Sequence, residues 1–236
     1  MTLTTRVLIP ERMDDPALPA GDHAAALRGL ERINRLSRSA AILWSPIRRL
    51  AEKRGAGARP IRVLDVATGA GDIAMEIARR AKRSGLAMDV QGCDISPRAV
   101  DFARDRARRA GVSVSFFEWD AVRDDPPTGF DVVMCSLFLH HLSETDAVAV
   151  LSKLGQAAGS LLLVNDLRRS RAGLALAWIG TRLLSRSSVV HFDGPQSVRA
   201  AFSLDEVADL ARRAGLSEFS LARRWPCRYL LEWRRK

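Results

Sequence analysis

The chain has 236 residues, 47% of them hydrophobic, which suits one α/β domain with an appended segment and a sizeable core. No stretch approaches the roughly 18 unbroken apolar residues of a membrane span, and no signal peptide is evident, so a cytoplasmic protein is expected. The three cysteines lack the spacing of a metal site, which predicts reduced thiols and no bound metal.

The net charge of +10 arises from 37 basic and 27 acidic side chains. Such a balance is typical of proteins that bind RNA, anionic membranes or acidic substrates, but arginine-rich helices without any such partner produce it as well. The arginines here are spread along helices, and aromatic residues make up only 6% of the chain. Because single-stranded RNA is bound largely by stacking on aromatic side chains, the composition argues against a nucleic-acid partner.

A helical cap is predicted ahead of the main domain. The opening twenty residues lack hydrophobic periodicity and are expected to be extended, whereas a helical spacing of apolar residues begins at His23. Ser45 and Pro46 resemble a helix cap followed by proline at the first helical position, which predicts that a second, short helix starts there. The segment "RGAGARP" then indicates a linker, so we divide the chain into a cap at 1–55 and a main domain at 56–236.

Patterns of strand and helix alternate along the chain after this linker. A continuous apolar run such as 61–67 is typical of a strand buried in a parallel sheet. The alternation predicts a doubly wound, mostly parallel α/β sheet that binds ligands at the carboxyl ends of its strands. Strands are predicted at 61–67, 88–94, 112–120, 130–136, 160–166, 216–223 and 227–233, and helices at 71–84, 97–110, 143–157 and 204–214.

Acidic residues and glycines mark the ends of the first three strands. Gly69 and Gly71 follow the first strand and let the backbone approach a ligand closely, a pattern that is weak evidence for a nucleotide site when taken alone. Asp65, buried just before them, needs hydrogen bonds, so it braces the loop or binds a ligand amine. Asp94 ends the second strand, where an acid can accept hydrogen bonds from a ribose diol or cap the next helix. Asp120 ends the third strand and is either an acceptor for an exocyclic amine or an ordinary loop acid.

The stretches "VLDVATGAGD", "CDIS", "FEWDA" and "FDVVMCSLFLHHL", in this order and spacing, resemble the class I S-adenosylmethionine-dependent methyltransferases. Within this class the chain is most similar to the ubiquinone/menaquinone-biosynthesis branch and its natural-product relatives. The resemblance covers about residues 60–235, and it departs from the usual three alternating glycines only where Ala67 and Thr68 precede Gly69. It implies a Rossmann-like sheet of seven strands whose last strand is antiparallel, and S-adenosyl-L-methionine as the cofactor, released as S-adenosyl-L-homocysteine.

The resemblance also implies which residues contact each part of the cofactor. These are Asp65, Ala67, Gly69 and Gly71 for the methionine part, Asp94 for the ribose hydroxyls, Ile95 for the adenine face, Asp120 and Ala121 for the adenine edge, and Ser136 for the methionine moiety or the methyl group.

Histidines are the candidates for the catalytic group. His140 and His141 follow the fourth strand, and His191 lies in "HFDGPQSVRAAFS" before the last helix. An imidazole, whose pKa lies near neutrality, is suited to remove a phenol proton, with Asp193 as the group that orients His191. Packing or helix capping by the first two histidines, and a turn at 193–195, explain the same residues.

An apolar insertion at about 167–200 is predicted to form, with the N-terminal helices, a lid over a pocket for a small hydrophobic or aromatic acceptor. Arg182 and Arg186 beside it suggest contact with an anionic membrane surface, although a plain core helix explains the same apolar residues. Asp166, just before the insertion, is expected to pair with Arg168 or to orient an acceptor hydroxyl.

These features predict a methyltransferase that acts on a hydroxyl of a phenolic or quinone-like acceptor in natural-product biosynthesis. Carbon methylation of a quinone precursor and RNA methylation are the alternatives, and the oligomeric state is left open. Methyl transfer from a sulfonium is an in-line displacement, so alignment of the reactants contributes roughly 7–11 kcal/mol. A base adds on the order of 10²–10⁴-fold when the acceptor is a neutral phenol.

Overall fold

The computed structural model describes residues 3, 5–15, 17–55 and 57–236. Its centre is a seven-stranded sheet in the order β3-β2-β1-β4-β5-β7-β6. The strands are β1 (Ile61–Val66), β2 (Met88–Asp94), β3 (Ser115–Glu118), β4 (Phe130–Ser136), β5 (Ala158–Leu167), β6 (Ser220–Arg224) and β7 (Arg228–Arg234). The first five strands are parallel, and β7 is antiparallel to both of its neighbours. The predicted doubly wound sheet with an antiparallel last strand is therefore confirmed.

Helices cover both faces of the sheet and extend beyond one end of it. They are α1 (Ala20–Leu36), α2 (Ser39–Arg54), α3 (Asp72–Arg83), α4 (Pro97–Ala110), α5 (Glu144–Ala157), α6 (Arg171–Leu184), α7 (Ser188–Ala200) and α8 (Leu204–Arg213). A serine hydroxyl accepts a backbone N–H at the start of α4, α5, α6 and α8, which satisfies a donor that the helix itself leaves unpaired. Among the described residues, none of these helices is long and apolar enough to cross a membrane.

Alternate side chains of the buried strands pack into two separate hydrophobic cores, one on each face of the sheet. Leu64, Val133 and Cys135 point into a core that α5 and α8 cover, whereas Val63 and Met134 point into one that α2, α3 and α4 cover. Neighbouring residues of a strand point to opposite sides of the sheet, so a strand in which nearly every residue is apolar contributes to both cores. Helix α2 therefore packs on the sheet itself, and α1 contacts the insertion helices α6 and α7 instead. The division into a cap and a main domain stays a prediction.

The break between the first two helices is not where the sequence predicted it. Pro46 lies inside α2, and the chain turns at Arg38, whose φ of 58° is left-handed. The reason is a long-range contact, because the buried Arg228 guanidinium donates hydrogen bonds to the hydroxyls of Ser37 (2.8 Å) and Ser39 (2.5 Å) on either side of the turn. The prediction of a helix start at Ser45 and Pro46 was wrong.

The segment predicted to contain a turn at 193–195 is helical throughout, as part of α7. Because this segment is helical, Asp193 does not fasten a turn, and none of its described contacts is with His191. Its carboxylate accepts the backbone N–H groups of Arg12 (2.9 Å) and Met13 (3.1 Å), so it anchors the N-terminal segment. That segment is extended except for a 3₁₀ turn at Arg12–Asp14, while residues 1, 2, 4 and 16 lie outside the described part of the chain.

Candidate active site

A cavity of about 360 Å³ lies at the carboxyl ends of β1, β2, β3 and β4, and we call it the crevice. Sequence reasoning assigned nine residues to the cofactor, and eight of them line this one space. They are Asp65, Ala67, Gly69, Asp94, Ile95, Asp120, Ala121 and Ser136. The structure therefore brings together residues that four separate strand ends contribute.

The two glycines of the first turn serve different purposes. Both have positive φ, 53° at Gly69 and 70° at Gly71, which a residue without Cβ adopts at little cost. A Cβ at Gly71 would lie 2.7 Å from the Phe116 ring, so this glycine allows the turn to pack against β3 and α4. A Cβ at Gly69 would meet, among the described residues, only the Leu27 side chain at 4.0 Å. Gly69 is thus the position where the backbone is open toward the crevice.

Asp65, near the end of β1, stabilises the glycine turn through a hydrogen bond. The Thr68 hydroxyl donates a hydrogen bond of 2.7 Å to its carboxylate, which confirms the bracing role expected from its position. Burial raises the pKa of Asp65 to about 7. Asp72, the second acid of the turn, also lines the crevice and accepts a hydrogen bond of 3.3 Å from the Asn34 amide on α1. The pKa of Asp72 is likewise raised by burial.

Asp94 connects the glycine turn to the next helix. One carboxylate oxygen accepts the Gly69 N–H and the other the Ser96 N–H, both at 2.9 Å. Each carboxylate oxygen has two lone-pair directions, so a carboxylate at this position can accept more than one hydrogen bond on each oxygen. Ile95 beside it is 64% exposed, an unusual position for a large apolar side chain at the edge of a cavity.

Asp120 forms a local turn. One carboxylate oxygen accepts the backbone N–H groups of Val122 (2.8 Å) and Arg123 (3.1 Å), a common way for aspartate to close a turn. The second oxygen lies 3.7 Å from the Arg123 guanidinium. These bonds match the loop-acid interpretation, and contact with an adenine edge stays a proposal.

A second cavity of about 270 Å³ adjoins the crevice, and we call it the apolar cavity. Aliphatic side chains from α1, α6 and the end of β5 dominate its wall, together with the turn before β7. Its lining includes Leu30, Ile33, Leu36, Leu167, Leu176, Ala177, Leu184, Val198, Trp225 and Pro226. Of the residues that the structure describes, four border both cavities, and these are Glu11, Leu30, Leu137 and His141. The two spaces therefore meet beside the only polar members of that group, Glu11 and His141.

His140 is buried beside this junction and paired with Asp166. Its Nδ1 lies 2.6 Å from one Asp166 oxygen, and its backbone N–H donates to the other at 3.1 Å. Burial alone would lower the pKa of His140, but the carboxylates of Asp166 and Glu11 outweigh burial and raise the pKa to about 10. The imidazole therefore holds its proton at neutral pH. Asp166 pairs with this histidine, an outcome that neither expectation for Asp166 anticipated.

Glu11 comes from the N-terminal segment and faces both histidines. Its carboxylate oxygens lie 3.7 Å from His140 Nε2 and 4.0 Å from His141 Nε2. Burial raises the pKa of Glu11, but the two histidines and the Ser197 hydroxyl lower it overall. Sequence reasoning missed this residue because nothing in the sequence links position 11 to a strand end that follows more than a hundred residues later.

The predicted catalytic histidines are not all in one place. His140 and His141 are adjacent at the junction, with ring centroids 4.3 Å apart. His191 is on α7, where its Nε2 is 2.7 Å from the Ser185 carbonyl oxygen, and it is outside the described lining of both cavities. The geometry therefore favours His141 over the other two as the histidine that meets a bound molecule.

Comparison with known proteins agrees with the fold and the crevice. Residues 63–158 match a family model described as a methyltransferase domain. The chain is 34% identical over 119 residues to a demethylmenaquinone methyltransferase from Deinococcus radiodurans, covering 50% of this chain and 48% of that protein. It is 31% identical over 128 residues to a ubiquinone biosynthesis O-methyltransferase from Xanthomonas euvesicatoria, covering 53% and 51%. The chain thus spans about half the length of these curated relatives.

Longer but weaker matches extend the likeness. A ubiquinone/menaquinone biosynthesis C-methyltransferase from Bordetella avium is 28% identical over 173 residues, covering 68% of this chain and 66% of that protein. The magnesium protoporphyrin IX methyltransferase of Synechocystis, solved with bound S-adenosylhomocysteine, shares the fold with a TM-score of 0.58 at 20% identity. That match covers 86% of this chain and 87% of the other.

The seven-stranded sheet, the crevice at its strand ends and the match of residues 63–158 to a methyltransferase domain agree with one another. S-adenosylmethionine is the cofactor of the class I methyltransferases that the sequence resembles, and the residues of the crevice fit it. Ile95 offers an exposed apolar face for a flat base, Asp94 places a carboxylate beside it at the edge of the crevice, and the backbone at Gly69 leaves room for close approach.

Proposed function

We propose that the protein transfers the methyl group of S-adenosylmethionine to a hydroxyl of a small aromatic or quinone-like acceptor. One observation carries the proposal: a crevice with polar strand-end residues adjoins an apolar cavity, and the two meet at Glu11, Leu137 and His141. An apolar cavity with few polar groups suits a hydrophobic aromatic molecule. The names of the relatives, which include quinone-biosynthesis methyltransferases, support the acceptor class.

The crevice residues would hold the cofactor by its separate parts. We assign Asp94 to the ribose hydroxyls, Ile95 to the adenine face and Gly69 to the methionine part. Ser136 accepts a hydrogen bond of 2.8 Å from the Asn165 amide, so its own hydroxyl proton is free to be donated toward the methionine part. When bound, the cofactor supplies a methyl group that is already activated on a sulfonium. The protein's task is therefore to align the acceptor oxygen and to assist the loss of its proton.

His141 is placed to act on that oxygen. It borders both cavities, its side chain is 26% exposed, and the Glu11 carboxylate lies 4.0 Å from its Nε2. His140 keeps its own proton and is held by Asp166, so it supports the junction as a charged neighbour. Placement of the protein in natural-product biosynthesis and in the cytoplasm stays a prediction from the sequence.

Methyl transfer assays with a panel of catechols, phenols and hydroxyquinones test the proposal. We expect turnover of at least one acceptor with stoichiometric formation of S-adenosylhomocysteine. A chain that binds the cofactor but methylates only polar, ring-free acceptors would contradict the acceptor class. Carbon methylation is the second candidate, favoured by the likeness to the Bordetella avium C-methyltransferase. Fragmentation of the product by mass spectrometry distinguishes an O-methyl from a C-methyl group.

We further propose that α6 contacts an anionic membrane from which the acceptor enters. Its exposed face carries Trp178, Ile179 and Leu183, of which Leu183 is 78% exposed, and α6 also forms one wall of the apolar cavity. Arg182 and Arg186 line a cleft at its end, where they suit lipid phosphates. We expect Leu183→Glu to reduce co-sedimentation with phosphatidylglycerol vesicles, whereas Val7→Glu, an exposed apolar control, retains it. Equal sedimentation of both variants would contradict this contact.

A further inference from the structure

We propose that Glu11, His140 and His141 bind a divalent transition-metal ion at the junction of the two cavities. A ligand atom of each residue lies within 4.8 Å of the ligand atoms of the other two. Two imidazoles and one carboxylate are a ligand set that suits Zn²⁺, Fe²⁺ or Mn²⁺. The predicted absence of a metal rested on the spacing of the cysteines, and this cluster contains none of them.

The separations fit shared ligation better than direct hydrogen bonds. Glu11 oxygens are 3.7 Å from His140 Nε2 and 4.0 Å from His141 Nε2, beyond the usual reach of a hydrogen bond. Ligands bonded at roughly 2.0–2.2 Å to one tetrahedral ion lie about 3.3 Å from one another. Small movements of the Glu11 carboxylate and the two imidazoles toward one another would close the cluster around an ion.

The far side of His140 has the partner that metal-bound histidines usually have. Its Nδ1 lies 2.6 Å from the buried Asp166 carboxylate, which fixes the ring with Nε2 directed at Glu11. Such a carboxylate behind a ligating imidazole orients the ring and makes it a better ligand. Metal binding would displace to solvent the proton that His140 Nε2 holds in the metal-free chain, because imidazole binds metals in its neutral form, and the ion would then replace it as the positive charge at the junction.

Glu11 is not needed merely to fasten the N-terminal segment. The Arg6 guanidinium donates to the carbonyls of His140 (2.8 Å) and Leu142 (2.6 Å), and Asp193 accepts two backbone N–H groups of the same segment. These four bonds already hold the segment over the site. The Ser197 hydroxyl of α7 also donates a hydrogen bond to Glu11, so the carboxylate is fixed between the two imidazoles, in a position where it can serve as a ligand.

Three protein ligands leave a position of the ion open, as in catalytic rather than structural metal sites. Glu11 and His141 border both cavities, so the open position faces the space in which an acceptor would lie. We infer that the ion takes an acceptor oxygen as its next ligand, so that His141 would assist the loss of that oxygen's proton through the ion instead of accepting the proton itself. This role rests on the proposed function, whereas the metal site itself does not.

Metal binding to the untagged chain tests the site without acceptor or turnover. After dialysis against a chelator, Zn²⁺ and Mn²⁺ are titrated by calorimetry, and Co²⁺ is titrated by visible absorption. We expect one equivalent to bind with micromolar affinity or tighter. Glu11→Gln and His141→Ala should weaken binding at least tenfold, and Asp166→Asn should weaken it by roughly 10–100-fold, as loss of a supporting carboxylate does elsewhere.

His23→Ala is the matched control, because His23 lies on α1 outside the cluster, and it should bind as the unaltered chain does. S-adenosylhomocysteine binding, measured on every variant, verifies that each has folded. The metal site is refuted if the unaltered chain binds no metal. It is also refuted if Glu11→Gln and His141→Ala bind metal as strongly as the unaltered chain does. If the chain binds metal but methylates no acceptor, the metal site is supported and the proposed function is refuted.

Discussion

The crevice and the apolar cavity lie side by side, but the chain builds them from different kinds of contact. The crevice is formed by short stretches at strand ends, where the Thr68–Asp65 and Gly69–Asp94 hydrogen bonds fix its shape. The apolar cavity is assembled from α1, α6, α7 and the turn before β7, which are far apart in sequence. A motif can therefore reveal the crevice, whereas the acceptor side emerges only when the chain is folded.

Replacement of His141 should produce the largest effect, and it should affect only the acceptor side. We expect His141→Ala to lower kcat on the order of 10²–10⁴-fold, the usual contribution of a group that handles a transferred proton. Affinity for S-adenosylhomocysteine should be unchanged, because the described bonds of the glycine turn do not involve His141. The measurement is steady-state turnover together with calorimetry, with His23→Ala as the control. An equal loss of turnover in His191→Ala would contradict the assignment.

Replacement of Asp94 should affect the crevice instead. Asp94→Ala removes the bond to the Gly69 N–H and the expected acceptor for the ribose hydroxyls, so we expect at least about 100-fold weaker binding of S-adenosylhomocysteine. Asp89→Ala on the same strand is the control, because its carboxylate is 50% exposed and faces Arg62. Micromolar binding retained by the Asp94 variant in calorimetry would refute the ribose role.

Asp131 lies at the end of the sheet opposite the crevice, so its replacement should change the stability of the fold without changing cofactor binding. Its carboxylate accepts hydrogen bonds from Arg54 (2.5 Å), Arg59 (2.7 and 2.8 Å) and the Arg62 N–H (2.9 Å). We expect Asp131→Asn to lower the free energy of unfolding by roughly 1.5–3 kcal/mol, the range for bonds to a charged group. Urea denaturation measures this change, and cofactor affinity should be unaffected. A loss of affinity without a loss of stability would show that the two ends of the sheet are coupled.

The same carboxylate gives a pH dependence of known sign. Burial alone would raise the pKa of Asp131, but the hydrogen bonds from Arg54, Arg59 and Arg62 outweigh burial and lower it to about 2. Its unfolded pKa is about 3.9, so its contribution is complete above that pH and is lost as the pH falls toward 2. The difference in unfolding free energy between the unaltered chain and Asp131→Asn should therefore shrink between pH 5 and 2. A difference that grows on acidification would contradict this sign.

Ala67 should show the smallest effect. It adopts a φ of 53° in the first turn, where an L-residue pays roughly 1–2 kcal/mol and glycine does not. Glycine loses more entropy on folding, by roughly 0.5–1 kcal/mol, so Ala67→Gly should stabilise the chain by no more than about 1.5 kcal/mol. Thermal unfolding measures this change. A loss of stability in Ala67→Gly would contradict this prediction and would show that packing of the Ala67 methyl group outweighs its backbone strain.

The elements that the sequence predicted best have local causes. Strands β2 and β4 and helix α4 lie where they were expected, since apolar runs and the Ser96 and Gly111 caps define them. The crevice residues followed from motifs at strand ends. The position of Glu11, the pairing of His140 with Asp166 and the helical state of α7 depend on contacts between distant segments, which no local pattern records. The turn at Arg38, fixed by Arg228, has the same origin.

A crystal structure with bound S-adenosylhomocysteine would show whether the crevice and the apolar cavity work together. We expect density for the ribose beside Asp94, the adenine against Ile95, and the sulfur atom facing the junction at Glu11 and His141, toward the apolar cavity. A sulfur atom directed away from that junction, or a crevice in which the ligand does not bind, would refute the proposed arrangement.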